Sequence, residues 1–485
     1  MRVLFVVPPL AGHLNPTLAV AAELTARGHQ VAWTGPTAAL TTLLPAGARL
    51  YPAGDRGAAD GYDVLHRRWR DLRGVAALRF LWEEALVPLA HAMLPGVHAA
   101  VEAFTPDVLV ADQQAFAGPL VARRHGLPWA TSATTSAEFT RPFDGFPKVG
   151  EWVARRIAGL LADCGAPAGW DPRFSPHLVL VFSTPELVGE GGSPGPGEDP
   201  VHHLTGVPSP RLGEAPRPSV SEASRPRVSE ASRPRLGEAP PPHPHTLPRP
   251  HPPSPRRGEG GCRGVGAGGE KWGPHYAFVG PALGPRPPAG DFPWRRLDPG
   301  RARVLVSLGT LNREAGARFY PAVLRAAAAL ADRAQLILAA PGDLAGDLPP
   351  NVLHQEYVPQ LQLLPHLDAV LCHGGHNTVC EALAYGLPLV VAPVRDDQPI
   401  VARQVTEAGA GVRVRFGRAR TDELRRALTA VLDDPAHRGA ARRIQASFAA
   451  AGGATAAADR LEKLPLGPGT DPVGTDHRTA SEKGS

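Results

Sequence analysis

Cysteine is scarce. The 485 residues hold four, Cys164, Cys262, Cys372 and Cys380, and none stands in CxxC spacing, so neither a disulfide framework nor a structural zinc site is expected. A reducing, cytoplasmic setting fits that usage. Long apolar runs are lacking as well: no stretch approaches the roughly 18 apolar residues of a membrane span. The opening, MRVLFVVPPLAGHLNPT, places a basic residue before an apolar run, but Pro8, Pro9, His13 and Asn15 interrupt it and no small-residue cleavage site follows; a signal peptide is therefore not expected. There is no Lys/Arg block interleaved with aromatics. The formal charge of +5 comes largely from arginines scattered through helices and one Pro-rich stretch, which argues against nucleic-acid binding. The first βα turn, VPPLAGHLNP, has no GxGxxG, which argues against a dehydrogenase.

What the chain has is an alternation of apolar runs and helix-period segments. RVLFVV is followed by a helical stretch from about Asn15 to Arg27, ended by Gly28, and then by VAWTG. DVLVAD (107–112), a helix to about His125 closed by Gly126, PWATSAT and LVLVFS (178–183) continue it. Fully apolar strands separated by helices imply a parallel sheet covered on both faces. The same grammar restarts at RVLVSLGT (303–310), with an Ala-rich helix around 317–331, then QLILAA, AVLCHGG, a helix over 377–385 and PLVVAP. The fold expected is α/β, with two Rossmann-like, doubly wound parallel-sheet domains facing across a cleft. Ligands of such sheets sit beyond the carboxyl ends of the strands.

Between the halves the composition changes. Units reading RLGEAPRP, SVSEASRP, RVSEASRP and RLGEAPPP recur at about eight residues, too short and too polar a period for a solenoid. Their Pro, Gly and Ser content predicts disorder, and proline spacing leaves His202, His203, His243, His245 and His251 no common face for a metal. The organisation expected is therefore a first domain over 1–190, completed by about 272–283, a disordered insertion over 191–271, a second domain over 284–465, and a disordered tail over 466–485.

One stretch carries most of the chemistry: CHGGHNTVCEALAYGLPLVVAPVRDDQ, residues 372–398. A buried strand delivers His373, Gly374 and Gly375 into a turn, and a helix begins directly after it. Glycines there allow close backbone approach, while a helix N-terminus offers free N–H groups and partial positive charge, a combination that suits a phosphate; a plain strand–turn–helix junction capped by Asn377 would look the same. Glu381, four residues after Asn377, shares the helix face at the mouth of the turn, where a carboxylate can accept hydrogen bonds from a ribose. Asp396, Asp397 and Gln398 follow the next buried strand into the same cleft. A nucleotide sugar supplies both the phosphates and the hydroxyls that such a set would bind.

The segment YVPQLQLLPHLDAVLCHGGHNTVCEALAYGLPLVVAPVRDDQ (357–398) resembles the donor-binding signature of family 1 nucleotide-sugar glycosyltransferases, inverting two-domain enzymes of GT-B fold that glycosylate natural products. GHLNPTLAVAAELTARGHQV (12–31) resembles that family's opening loop and first helix. The likeness is closer to bacterial macrolide-type members than to plant ones, because His376 stands where plant members usually carry Trp. The resemblance implies that Tyr357 stacks on the donor base with Gln360 beside it, that His373, Gly374, Gly375, Asn377 and Thr378 contact the diphosphate, and that Glu381 contacts the ribose. It further implies that Asp397 and Gln398 contact the sugar, that Gly309 and Thr310 of SLGT lie in the loop closing over the diphosphate, that His13 is the general base and that Asp112 orients it. Tyr357 as a packing aromatic and Asp396 as a solvated neighbour of Asp397 are the plainer alternatives; Cys372 and Cys380 are expected to be small core residues.

A histidine with pKa near neutrality suits deprotonation of an acceptor hydroxyl. With His373, the N–H groups around Gly375 and Thr378 set to take the growing charge of the leaving diphosphate, and no DxD-type pair at the phosphates, catalysis without metal or other cofactor is expected. The acceptor is expected against the segment from about Gly61 to Arg156, where RFLWEEALVPL and AEFTRPFDGFP suit a lipophilic aglycone. The partners expected are thus a UDP- or dTDP-sugar and a lipophilic small molecule; the oligomeric state is open, a homodimer included. The alternatives are a nucleotide-sugar epimerase of the same architecture and a nucleotide-sugar-binding protein without turnover.

Overall fold

The computed structural model describes residues 1–55, 68, 69, 72, 74–140, 142–189, 272–284, 286, 291–309, 316, 319–342 and 348–464. The insertion expected over 191–271, with Cys262 and the five histidines named above, lies outside the described residues, as do the tail after 465, Thr310, and 61–67 of the expected acceptor segment.

Two parallel sheets form the frame. The first contains β1 (Arg2–Val6), β2 (Gln30–Gly35), β3 (Leu50–Pro52), β4 (Val108–Asp112), β5 (Trp129–Ala133), β6 (Val179–Val181) and β7 (Tyr276–Phe278), in spatial order β3-β2-β1-β4-β5-β6-β7. The second contains β8 (Ala302–Ser307), β9 (Ala334–Ala339), β10 (Val352–Gln355), β11 (Ala369–Cys372), β12 (Leu389–Val391) and β13 (Gly411–Arg413), in order β10-β9-β8-β11-β12-β13. Every pairing is parallel, Val3 facing Val108 in one sheet and Leu305 facing Val370 in the other. In each sheet the order reverses beside its first strand, between β1 and β4 and between β8 and β11. A crevice opens at such a switch point beyond the strand ends.

The strands are apolar on both faces because helices cover both. Val3, Phe5, Val108 and Val110 pack with Leu14, Leu18 and Leu24 of α1 (Ala11–Ala26). Leu4, Val6, Leu109 and Ala111 pack on the other face with α2 (Val87–Phe104) and α3 (Ala117–Arg124), through Met93, Val97 and Val121. A further helix, α4 (Pro147–Asp163), joins Trp82 and Phe116 in a satellite cluster. In the second sheet α5 (Phe319–Ala328) and α8 (Thr421–Asp433) cover Val304, Val306, Leu336 and Leu371. The opposite face, with Leu305, Ile337, Val370 and Val391, is covered by α6 (His376–Ala384), α7 (Gln398–Glu407) and α9 (Pro435–Ala451).

The last helix among the described residues, α10 (Gly453–Glu462), departs from the expected order. The sequence placed all of 284–465 in the second domain, yet Ala457, Ala458 and Leu461 are buried in the core of the first sheet beside α1. Gly452 and Gly453, with φ +88° and +58°, make the sharp turn that redirects the chain, and Arg27 pairs with Asp459 at 2.6 Å and Glu462 at 3.0 Å. The apolar stripe of so short an Ala-rich helix does not reveal which sheet it covers. Among the described residues no helix is long and apolar enough to cross a membrane.

Candidate active site

The first switch point holds the proposed base. His13 was expected in a loop before a helix starting near Asn15; the helix begins at Ala11 instead, so His13 stands in its first turn. Pro16 explains the difference. A proline has no N–H for the carbonyl four residues back and is tolerated in a helix only where that acceptor finds another donor. The acceptor is Gly12 O, and the Asn377 side-chain amide of the other sheet's domain donates to it.

Asp112, the last residue of β4, is 1% exposed. His13 Nδ1 lies 3.0 Å from both of its carboxylate oxygens. The backbone N–H of Gln114 donates to Oδ1 at 2.8 Å and the Thr134 hydroxyl to Oδ2 at 2.9 Å, so each oxygen has a second donor. Burial works against protonation of His13, but the Asp112 charge and hydrogen bond outweigh it, with help from Asp397 and Glu138, and the imidazole titrates above its ordinary range. A carboxylate at Nδ1 fixes the tautomer with its proton there and leaves Nε2 as the basic nitrogen.

The second switch point holds the glycine turn. Gly374 (φ +85°) turns the chain after β11, and Gly375 caps α6, whose first residue is His376. His373 is buried, and burial drives its pKa down to about 4 against the opposing pull of Asp397 and the Ser307 backbone; it is a neutral imidazole at physiological pH. Two glycines clasp the ring. A Cβ on Gly309 would come within 2.6 Å of His373 Cε1, and one on Gly375 would overlap Nε2. His376 is buried and likewise depressed by desolvation, and its Nε2 lies 3.5 Å from Cys380 Sγ. Burial pushes the Cys372 thiol up to about 12 and Cys380 upward as well, which makes both inert core residues, as expected. Thr378 lies half-buried in the first turn of α6.

Around this turn the structure brings several expected residues together and adds one. Gln360 Nε2 donates to Glu381 Oε2 at 2.6 Å. Arg286, from the segment joining the two sheets, donates Nη2 to Oε1 and Nη1 to Oε2 of the same carboxylate, the latter at 3.3 Å. Nothing in the local sequence marks Arg286, because its partner lies 95 residues away. Thr135 donates to Asp397 Oδ2 at 2.6 Å, and its neighbour Ser136 to Gln404 Oε1 at 2.7 Å. Gln398 is buried, and its Oε1 accepts the backbone N–H groups of Val394 and Arg395 at 2.9 and 3.1 Å, which leaves its N–H groups as the part of the amide available to a further partner. Asp396 has φ +57°, uncommon for a residue other than glycine, and sets the turn that presents Asp397. Tyr357, after β10, is 62% exposed and lies outside the apolar core.

From the expected acceptor segment, Phe139, Pro142, Phe143 and Asp144 line a cavity of about 330 Å³ with Glu138, Trp272 and Tyr276 among its other walls. Glu138 also acts electrostatically on His13.

Residues 323–464 match the family model of the erythromycin biosynthesis protein CIII-like C-terminal domain. The chain is 30% identical over 475 residues to 4'-demethylrebeccamycin synthase of Lentzea aerocolonigenes, covering 96% of this chain and 99% of that protein. It is 29% identical to demethyllactenocin mycarosyltransferase of Streptomyces fradiae, over 96% and 86%. Among solved structures, the glycosyltransferase of kitacinnamycin superposes with a TM-score of 0.63 at 25% identity, over 96% of this chain and 99% of that one. The glycosyltransferase VinC, in a complex with dTDP, shares the fold with a TM-score of 0.61 at 20% identity, over 96% and 99%. The chain thus belongs to the family 1 glycosyltransferases of natural-product biosynthesis and has their two-domain GT-B fold.

Proposed function

We propose that this glycosyltransferase moves a hexose or deoxyhexose, with inversion and without a metal, from a UDP- or dTDP-sugar to a hydroxyl of a lipophilic small molecule. The observation that carries the reading is the His13–Asp112 pair at the switch point of the first sheet. The acceptor O–H gives its proton to His13 Nε2 as its oxygen forms a bond to the anomeric carbon, and the bond from that carbon to the diphosphate breaks on the opposite face, which inverts the centre. Asp112 stabilises the imidazolium that forms. The charge left on the diphosphate falls at the glycine turn and the N-terminus of α6, where backbone N–H groups, Thr378 and the neutral His373 are available as donors; a preorganised donor of this kind is worth about 3 kcal/mol of barrier.

Gln360 and Arg286 fix the carboxylate of Glu381, the proposed ribose contact, and the 2.6 Å contact of Thr135 with Asp397 links the proposed sugar-end carboxylate to the domain that carries His13. The cavity combines the rings of Phe139, Phe143 and Tyr276 with the charged Glu138, Asp144 and Arg173, and so suits a lipophilic acceptor that also carries polar groups. The test is release of nucleoside diphosphate by the purified protein in EDTA, across uridine and deoxythymidine sugars with mixed lipophilic acceptors. Release should depend on acceptor, and His13→Ala should lower it by roughly 10²–10⁴-fold, the usual contribution of a general base. The acid limb of kcat/KM should lie above the ordinary histidine value of about 6.5, because the base must be neutral and its pKa is raised. Loss of release in EDTA, or full activity of His13→Ala, would sink the corresponding part of the reading.

A further inference from the structure

The base pair has a third partner. Thr134, on the loop after β5, is 4% exposed, and its hydroxyl lies 2.9 Å from Asp112 Oδ2 and 2.8 Å from His13 Nδ1. The next residue, Thr135, holds Asp397 of the second domain. We infer that Thr134 is a positioning residue of the transfer reaction, fixing the Asp112 carboxylate and through it the direction of His13 Nε2, within a two-threonine element that registers the base against the donor sugar. The inference rests on the reading of His13 as the base.

Asp112 is buried, and a buried carboxylate rotates unless both oxygens are held. The Gln114 N–H holds Oδ1 and the Thr134 O–H holds Oδ2, which leaves the His13 Nδ1–H facing both carboxylate oxygens at 3.0 Å, with the Thr134 oxygen beside it at 2.8 Å. A donated O–H also disperses the carboxylate charge. Without it, more of that charge would act on His13 and favour the imidazolium. The charged groups that face His13 are Asp112 at the end of β4, Asp397 ahead of α7 and Glu138 on the loop that carries Thr134; Thr134 touches only the first of them.

The experiment compares Thr134→Val, Thr134→Ser and His13→Ala in the full chain, reading kcat, donor KM and the pH profile, with donor affinity by calorimetry as the check on folding. Thr134→Val should lower kcat about tenfold or more with donor affinity retained, as expected of a group acting on the base alone. It should also move the acid limb upward by about half a pH unit. Thr134→Ser, which keeps the hydroxyl, should restore both. A valine variant with unchanged kcat and pH profile, or a serine variant as impaired as the valine, would overturn the inference while leaving His13 as the base. Full activity in His13→Ala would overturn the base reading and this inference together.

Discussion

His13 and His373 carry the same ring into opposite surroundings. His13 lies against the Asp112 carboxylate and is raised, whereas His373 is enclosed between Gly309 and Gly375 and held down to about 4. The unfolded chain would protonate His373 near its ordinary value while the folded chain resists, so below about 6.5 the unfolded state binds the extra proton and stability falls with pH until about 4. His13 works in the other sense, adding stability as pH drops through its raised value. Replacing His373 by Gln should therefore flatten the loss of stability between pH 7 and pH 5 by about 2 kcal/mol relative to the natural chain. Urea unfolding at the two pH values measures it, and an unchanged slope would show that the ring titrates freely. The sequence disclosed that a histidine follows the first strand of the first half and the strand AVLC of the second, since strand, turn and residue type are local. It pointed to His13 as the base through the family resemblance, but not to the opposite displacement of the two rings, which depends on burial, on Asp112 and on two glycine faces brought in by separate strands.

At the level of elements, α1 and α6 are tied by one proline. Because Pro16 cannot donate to Gly12 O, that carbonyl takes the Asn377 amide at the start of α6, and the first turn that holds His13 is anchored to the glycine turn. Pro16→Ala would supply an N–H to compete for Gly12 O. The helix should gain local stability while transfer falls by about three- to tenfold, the worth of one hydrogen bond. Asn377→Ala should fall by at least that factor, and adding Pro16→Ala to it should cost no more, since the Gly12 contact is then already gone. Additive losses would mean that the two side chains act separately. The helices and strands themselves were readable from apolar runs and turn residues, to within a few residues at their ends. The start of α1 was misjudged because a proline near a helix start ordinarily marks its first turn, and only a donor from 365 residues away makes an earlier start tenable.

Across the whole molecule the two domains meet through small polar contacts, Thr135 with Asp397, Ser136 with Gln404 and Thr184 with Ser447 at 2.8 Å, and through Leu187, which is buried in the core of the second sheet. Strand β7 belongs to the first sheet although it follows the expected insertion, pairing Tyr276 with Val179 and Phe278 with Val181. Deleting 191–271 would leave 182–190 and 272–275 for the parallel crossover, about the dozen residues such a connection requires. Closing a shorter loop changes stability little, by about 0.6 kcal/mol per halving of length. The shortened protein should therefore fold and retain transfer within about threefold, and insolubility or loss of donor binding would show that the segment has a structural part to play. The two-domain plan was legible because each half repeats the same alternation; the return of α10 was not, since an Ala-rich stripe fits either sheet.

That return bears on recombination between relatives. A chimaera made by exchanging halves at the joining segment, to give one enzyme's acceptor range to another's donor, would graft a foreign α10 onto the native α1 and set a mismatched helix against Leu14, Leu18 and Arg27. A workable exchange has two crossovers, one ahead of β8 and one at Gly452, so that the inherited unit is discontinuous in the gene while contiguous in space.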